Sequence, residues 1–150
     1  MPGTQKELCI FVDGSSRGNP GPAGVGIAVF EPDNADATAE ISKYIGRTTN
    51  NVAEYEAVIH ALRWMIHTGA KRAVLKLDSE LVYKQINGTY RVKSPHITFL
   101  MKRIKSLRAR VDDVSFVLVP RDENKLANRL AQRASKKVKV KHKTFKQLAL

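Results

Sequence analysis

Cysteine pairs, long apolar runs and acidic residues are all scarce in this sequence of 150 residues. Its single cysteine, Cys9, excludes an intrachain disulfide, and its place in the apolar run Leu8–Val12 predicts a buried structural thiol. No apolar run approaches the roughly 18–20 residues that span a bilayer. The segment Met1–Glu7 also lacks the apolar stretch of a secretory signal. We therefore expect a cytoplasmic protein in a reducing setting, without a membrane partner.

Basic residues outnumber acidic ones: the sequence contains 26 Lys and Arg but only 14 Asp and Glu, which gives a net charge of +12. Such an excess favours a polyanionic partner, nucleic acid before a membrane surface, although it could serve solubility alone. About half of it lies in Lys136–Gln147, which carries six lysines and no acid. We accordingly divide the chain into one domain, residues 1–135, and a basic tail, residues 136–150. Part of the tail could dock as an edge strand through Val138, Val140 and Phe145.

Hydrophobic periodicity predicts the element order βββαβααβα. The three early strands are predicted at Leu8–Val12, Gly24–Phe30 and Ala39–Ile45, with a loop at Gly14–Pro22. The two later strands are predicted at Ala73–Leu77 and Val114–Val119. The helices are predicted at residues 51–67, at 80–87, after the Ser94-Pro95 cap and after Asn124. Short connections favour an antiparallel meander, whereas strands that follow helices favour parallel pairing. The expected α/β fold is a mixed five-stranded sheet with helices on both faces.

Three acidic residues fall where predicted elements begin or end. Asp13 closes the first strand, Glu54 lies in the first turn of the first helix, and Asp78 closes the fourth strand. Two strand ends and a helix start can meet at one edge of a sheet. Carboxylates gathered there repel one another, and Mg²⁺ compensates them because it prefers oxygen ligands. The pattern thus predicts a divalent metal site.

Each of these residues also has a purely structural explanation. Asp13 could mark a turn before a glycine. Asn51 and Glu54 have the spacing of a capping box, and Asp78 could cap the helix that follows it. Asn128, on the last helix, could be a solvent-facing polar residue. These structural explanations are less convincing for the three acids taken together, because all three lie at ends of predicted elements that should meet at one edge of the sheet.

The sequence contains four motifs in order. They are Asp13-Gly14-Ser15 with Gly18-Asn19-Pro20-Gly21-Pro22, then Thr49–Tyr55, then Asp78-Ser79, then Val119-Pro120-Arg121 through Asn124 with Ala127–Ala131. Together they resemble the motifs of type 1 ribonucleases H, in the compact form without a basic protrusion. The resemblance extends from about Leu8 to Ala134, and the first two motifs are long and specific.

The resemblance implies an endonuclease that cuts the RNA strand of RNA/DNA hybrids and leaves 5′-phosphate and 3′-hydroxyl ends. Two Mg²⁺ ions, replaceable by Mn²⁺, would hold the entering and departing oxygens. In the family, the position of Asp13 bridges both ions, and the positions of Glu54 and Asp78 help to hold the ion on the leaving-group side. The position of Asn128 holds the ion that activates water. We expect a monomer, with double-stranded RNA as a second potential partner.

Two departures from the family pattern affect this expectation. The family normally has Asp at the position of Asn128, and a neutral amide should bind the water-activating ion less well. The hypothesis is therefore an impaired enzyme, and the alternative is a catalytically silent module that binds hybrids or double-stranded RNA. Many members also have a His in the loop that here contains Arg121, Asp122 and Glu123. Either acid could replace it, or these residues are ordinary surface charge.

The resemblance also implies which residues contact substrate. The loop residues expected to recognise the RNA 2′-hydroxyl are Ser15, Ser16, Arg17, Gly18 and Asn19, helped by Asn50 and by Glu80. The family usually has Gln at the position of Glu80. Thr49 and Asn51 resemble a phosphate pocket for the DNA strand, or else they cap the helix. The basic third helix and the lysine tail could replace the protruding handle of other members.

Overall fold

The computed structural model describes residues 6–137 and shows a five-stranded mixed sheet. The strands are β1 (Glu7–Ser16), β2 (Gly21–Phe30), β3 (Ala39–Thr48), β4 (Arg72–Leu77) and β5 (Asp113–Leu118). Their spatial order is β3-β2-β1-β4-β5, with β1, β2 and β3 antiparallel and β4 and β5 parallel to β1. The predicted meander and the predicted parallel pair are therefore confirmed. The edge strand suggested for the tail lies outside the described residues.

Four α-helices connect and cover this sheet. Within residues 6–137 they are α1 (Asn50–Thr68), α2 (Glu80–Ile86), α3 (Pro95–Arg108) and α4 (Lys125–Ser135), and a 3₁₀ turn lies at Arg121–Glu123. Ser94 caps α3 through its side chain and Pro95 opens it, as predicted. Gly69 ends α1 in the left-handed conformation that favours glycine. None of the helices among residues 6–137 has the length and apolar character of a membrane span.

The helices lie on both faces of the sheet, and two glycines show how closely they approach it. Gly14 of β1 faces α1, and a β-carbon built there would lie 2.2 Å from the carbonyl carbon of Ala53. Gly26 of β2 faces α4, and a β-carbon there would lie 2.1 Å from the carbonyl oxygen of Ala127. Neither position could carry a side chain without displacing a helix. Backbone contacts therefore set how α1 and α4 sit on the strands.

The main hydrophobic core lies between the sheet and the α1–α3 layer. Side chains at alternate positions of β1 and β2 point into it and meet the inner face of α1. The largest fully buried contributors include Ile10, Ile27, Tyr55, Leu62 and Leu75. Cys9 alternates with Ile10 along β1, so its side chain lies on the other face and is only partly buried. The prediction of a buried thiol at this position is wrong.

The first two strands are longer than predicted. The antiparallel ladder continues from Asp13, opposite Gly26, to Ser16, opposite Ala23. Asp13 consequently lies within β1 rather than at its end, and only residues 17–20 connect β1 to β2. Composition misled the prediction, because glycines normally indicate loops. Here Gly14 lies in a strand, and α1 packs directly against it.

Candidate active site

The three predicted carboxylates converge at one edge of the sheet. Asp13 projects from β1, Asp78 follows the end of the adjacent parallel strand β4, and Glu54 projects from α1. Each offers one oxygen such that the three oxygens lie within 4.8 Å of one another. Glu54 lies in the second turn of α1, not in the first as predicted, because the helix begins at Asn50. The close approach of α1 at Gly14 brings this second turn to the cluster.

Burial and mutual repulsion raise the pKa values of Asp13 and Glu54. Burial is the main cause that raises the pKa of Asp13 to about 6, with Asp78 adding to the rise and the Asn128 hydrogen bond opposing it. Burial likewise raises the pKa of Glu54 to about 8, and the charges of Asp13 and Asp78 add to it. The positive charge of Arg121 lowers both pKa values but does not cancel the rise. The cluster therefore lacks positive charge.

The donor set of this cluster fits a hard divalent cation. Its atoms are carboxylate oxygens, which Mg²⁺ and Mn²⁺ accept readily and which softer metals do not prefer. Asp13 is only 4% exposed, so a cation bound there would be only partly screened by water. Within residues 6–137, no Lys or Arg forms an ion pair with Asp13, Glu54 or Asp78. A divalent ion is the group that this arrangement can best accommodate.

Asn128 lies against the cluster, contrary to the solvent-facing alternative. Its Nδ2 donates to Asp13 Oδ2 at 2.7 Å. Helix α4 carries it there, because Gly26 lets Ala127 and Ala131 approach the backbone of β2. Gly26 also pairs with Asp13, so the same register fixes the spacing between helix and carboxylate. The structure thus groups Asn128 with the three acids, as the motif order predicted.

Asn124 is a site residue whose role was not foreseen. We predicted a helix cap, but its side chain makes no capping hydrogen bond. Its Nδ2 instead donates to the Val12 carbonyl oxygen and to Asp78 Oδ2, both at 2.9 Å. The residue is 1% exposed and ties β1, Asp78 and the start of α4 together. Its position four residues before Asn128, on the same helical face, was the available signal.

The structural explanations for Glu54 and Asp78 do not hold. Helix α1 is capped by Thr49, whose side chain accepts from the Val52 N–H, and not by Asn51. Helix α2 is capped by Ser79, not by Asp78. A side-chain hydrogen bond from Ser79 also lowers the pKa of Glu54 against the effect of burial. Neither acid is therefore needed to start a helix.

The predicted substrate loop is tied to the start of α1 beside the carboxylates. The Ser16 N–H donates to Asn50 Oδ1 at 3.2 Å, and the Asn50 N–H donates to Asn19 Oδ1 at 3.0 Å. Ser16 Oγ also donates to the Thr48 carbonyl at 3.0 Å. The Nδ2 groups of Asn19 and Asn50 donate to no acceptor among residues 6–137. These donors remain available for oxygen atoms of a ligand.

The other predicted contact residues are less constrained. Glu80 is exposed and pairs with Lys84 of its own helix, with 2.8 Å between Oε2 and Nζ. Arg121, Asp122 and Glu123 form the exposed 3₁₀ turn before α4. The roles of these residues toward substrate, and those of Ser15, Arg17, Gly18 and Asn51, stay predictions.

The basic residues of α3 divide between two surfaces. Lys102 and Lys105 line a groove with Tyr90, between the end of α2 and α3. Arg103 faces away from them, toward β3 and α1, where Arg110 joins it. The basic residues of α3, predicted together to replace the protruding handle, therefore do not form one continuous surface.

Comparison with known proteins supports one family. Residues 11–134 match the family model described as reverse transcriptase-like. Ribonuclease HI of Halobacterium salinarum is 41% identical over 124 residues, which cover 83% of this chain and 62% of that protein. A bifunctional protein of Mycobacterium tuberculosis is 41% identical over 128 residues, 85% of this chain and 35% of that protein. The chain belongs to the type 1 ribonuclease H family.

Solved structures of the ribonuclease H family share the fold. Ribonuclease H1 from Halobacterium salinarum superposes with a TM-score of 0.82 at 40% identity, covering 85% of this chain and 96% of that one. A ribonuclease H1 isolated from compost, solved in complex with an RNA/DNA hybrid, gives a TM-score of 0.81 at 37% identity, with 87% and 98% covered. The chain spans about a third of the mycobacterial relative's length and 62% of the archaeal one's.

Proposed function

We propose that this chain is a metal-dependent endonuclease that hydrolyses the RNA strand of RNA/DNA hybrids, with activity reduced by Asn128. The observation that carries the proposal is the convergence of Asp13, Glu54 and Asp78, whose oxygens lie within 4.8 Å of one another. A family relative 37% identical to this chain was solved in complex with an RNA/DNA hybrid. Hydrolysis would leave 5′-phosphate and 3′-hydroxyl ends.

Asp13, Glu54 and Asp78 are the residues that would hold two divalent ions, Mg²⁺ or Mn²⁺. When bound, such ions supply positive charge that activates water and stabilises the departing oxygen. The raised pKa values of Asp13 and Glu54 support this role, since the buried negative charges are uncompensated by the protein. Arg121 supplies the nearby protein charge that lowers both values. Asn124 orients Asp78 by its hydrogen bond.

Asn128 is the reason to propose weak turnover. Its amide nitrogen donates to Asp13 Oδ2, so one oxygen of the central carboxylate already has a partner. Turning the amide over would present its oxygen instead, but that oxygen carries no formal charge. A cation beside Asp13 would therefore gain less stabilisation than a fourth carboxylate would provide.

The donor groups around Ser16, Asn19 and Asn50 are proposed to contact sugar and phosphate oxygens. The Asn50 and Val52 N–H groups at the start of α1 already have side-chain acceptors, so the Asn51 N–H and the positive end of the helix dipole are what favour phosphate near Thr49. Such contacts carry no base code, so recognition would be insensitive to sequence. The Lys and Arg side chains elsewhere on the surface add an electrostatic attraction for any polyanion.

The test is cleavage of an end-labelled RNA/DNA hybrid by the chain and by its Asp13→Asn variant, with Mg²⁺ or Mn²⁺. We expect slow cutting of the RNA strand, none of the DNA strand, and none at all by Asp13→Asn. Equal cleavage by both proteins would trace the activity to a contaminant and would remove the support for this site. Products lacking a 5′-phosphate would contradict the proposed bond cleavage.

A second candidate is a catalytically silent module that binds hybrids or double-stranded RNA. The observation that favours it is the same Asn128–Asp13 hydrogen bond, which gives one oxygen of the carboxylate a partner without a metal. If the chain is such a module, it should bind the hybrid tightly and should not cleave it in the presence of Mg²⁺ or Mn²⁺. Cleavage that is sensitive to Asp13→Asn excludes it.

A further inference from the structure

A basic groove lies at the far end of α1 from the carboxylates. It has a volume of about 550 Å³ and is bounded by β3, the second half of α1 and the end of α3. Its cations are Lys43, Arg63, Arg103 and Arg110, and Trp64 lines it between them. At 1.5 Å per helical residue, Arg63 lies roughly 14 Å along α1 from Glu54. The groove is therefore separate from the metal cluster.

The charge of this groove is not neutralised by neighbouring acids. Among residues 6–137, none of its four cations forms an ion pair with a carboxylate. One acid, Glu56, approaches the groove wall, where its Oε1 lies 3.9 Å from His60 Nδ1. Burial lowers the pKa of His60, and the charges of Lys43 and Arg63 lower it further against the effect of Glu56. The groove thus presents a positive potential without a partner in the described chain.

We propose that this groove binds single-stranded nucleic acid, outside the site that would cut the hybrid. Cations spread over β3, α1 and the end of α3 suit a chain of phosphates better than one compact phosphate group, because Arg103 lies within α3 whereas Arg110 lies beyond its last residue. An aromatic ring within a positive groove is the arrangement that tracks a strand and stacks one of its bases. Apolar neighbours such as Ile41 and Leu107 give that base a dry surface.

The proposal does not rest on hydrolysis, since it concerns binding of a strand that is not a hybrid. It gives the protein a second contact to a strand that continues beyond the duplex or has been displaced from it. Arginine suits this purpose because its planar guanidinium holds phosphate oxygens in a fixed fork.

Trp64 is the only tryptophan of the chain, so its fluorescence reports on this groove alone. The experiment titrates the protein with an oligodeoxythymidylate of about twelve nucleotides in EDTA, which removes metal-dependent binding at the carboxylates. We expect saturable quenching of Trp64 and a dissociation constant that rises with salt. Absence of quenching would overturn the proposal.

The matched variants are Arg103→Glu with Arg110→Glu, and Arg129→Glu with Arg133→Glu on α4. All four side chains are exposed, and both pairs change the net charge equally, but α4 packs on the opposite face of the sheet. The groove pair should weaken oligonucleotide binding at least about tenfold and abolish the quenching, whereas the α4 pair should change affinity less than about twofold. Equal weakening by both pairs would show that net charge alone attracts the strand.

The titration also separates nucleic acid from an acidic protein segment. Poly-glutamate of matched charge offers carboxylates but no base to stack on Trp64. We expect it to compete weakly and to leave the fluorescence unchanged. Quenching or competition by poly-glutamate equal to that of the oligonucleotide would overturn the assignment to nucleic acid. Circular dichroism of both double variants confirms that they fold before either comparison is made.

Discussion

Asn128 donates directly to the carboxylate of Asp13, with 2.7 Å between Nδ2 and Oδ2. The Asn128 amide partly stabilises the Asp13 carboxylate, as a bound cation would. A carboxylate at position 128 would instead repel Asp13 and would need a cation to compensate the added negative charge. Replacing Asn128 with Asp should therefore raise the rate of hybrid cleavage at least about tenfold, since each 1.4 kcal/mol of added stabilisation gives a factor of ten. The measurement is single-turnover cleavage over a range of Mg²⁺ concentrations.

The control for that variant is Gln132→Glu, which adds the same charge one turn further along α4 at an exposed position. It should leave cleavage unchanged, so that net charge is excluded as the cause. In EDTA, the Asn128→Asp protein should unfold at a lower temperature than the parent because its new carboxylate has no cation. A cleavage rate indistinguishable from that of the parent would contradict the role given to this residue.

Glu54 should make the fold less stable as the pH rises. Its folded pKa of about 8 lies above that of an unfolded glutamate, so the folded state binds the extra proton between roughly pH 4 and 8. Without divalent ions, the free energy of unfolding should fall across this interval, and Asp13 should add to the fall up to about pH 6. Glu54→Gln should stabilise the protein at pH 9 by roughly 1–3 kcal/mol.

Urea denaturation in EDTA at pH 5, 7 and 9 measures this effect, with Glu40→Gln as a control at an exposed position of β3. The Glu40 variant should follow the parent at every pH. Adding Mg²⁺ at pH 9 should stabilise the parent more than the Glu54→Gln protein, because a bound cation compensates the buried charge. A stability curve for Glu54→Gln that declines as steeply as that of the parent would show that another group causes the decline.

Gly26 should tolerate no side chain. A β-carbon there would lie 2.1 Å from the Ala127 carbonyl oxygen, so Gly26→Ala must push α4 away from β2. We expect a loss of roughly 2–4 kcal/mol in the free energy of unfolding. Gly88→Ala is the comparison, because Gly88 has a φ of 79° with open space around it and should cost only about 1–2 kcal/mol. Equal losses for the two variants would contradict the close packing of α4.

The lysine tail should contribute to substrate affinity through charge. Truncation after Lys137 removes four lysines, Lys139, Lys141, Lys143 and Lys146, together with the other residues of 138–150. Binding of the hybrid should weaken, and the slope of log affinity against log salt should become shallower. Filter binding of an uncleavable hybrid at three salt concentrations measures both quantities. Unchanged slopes would show that these lysines do not approach the substrate.

The sequence predicted the meeting of Asp13, Glu54 and Asp78 because adjacent strands and a helix start define one sheet edge. It did not predict the partners of Asn124 and Asn128, since these depend on the rotation of α4 about its own axis. That rotation is set by contacts with Gly26, which was correctly predicted within the second strand but gave no sign that a helix packs directly on it. The basic groove was equally hidden, because Lys43, Arg63 and Arg103 belong to three elements that only the folded chain brings together.

Backbone contacts, rather than the residue at 128, hold α4 in place against β2. Asn and Asp are nearly equal in size, and their codons differ by a single base. A lineage could therefore lose or regain a fourth carboxylate by one mutation while the scaffold that presents it stays intact. Selection for catalysis acts on the side chain at position 128, whereas selection for folding acts on the backbone contacts of α4. An active nuclease and a silent binding protein can therefore differ by one substitution.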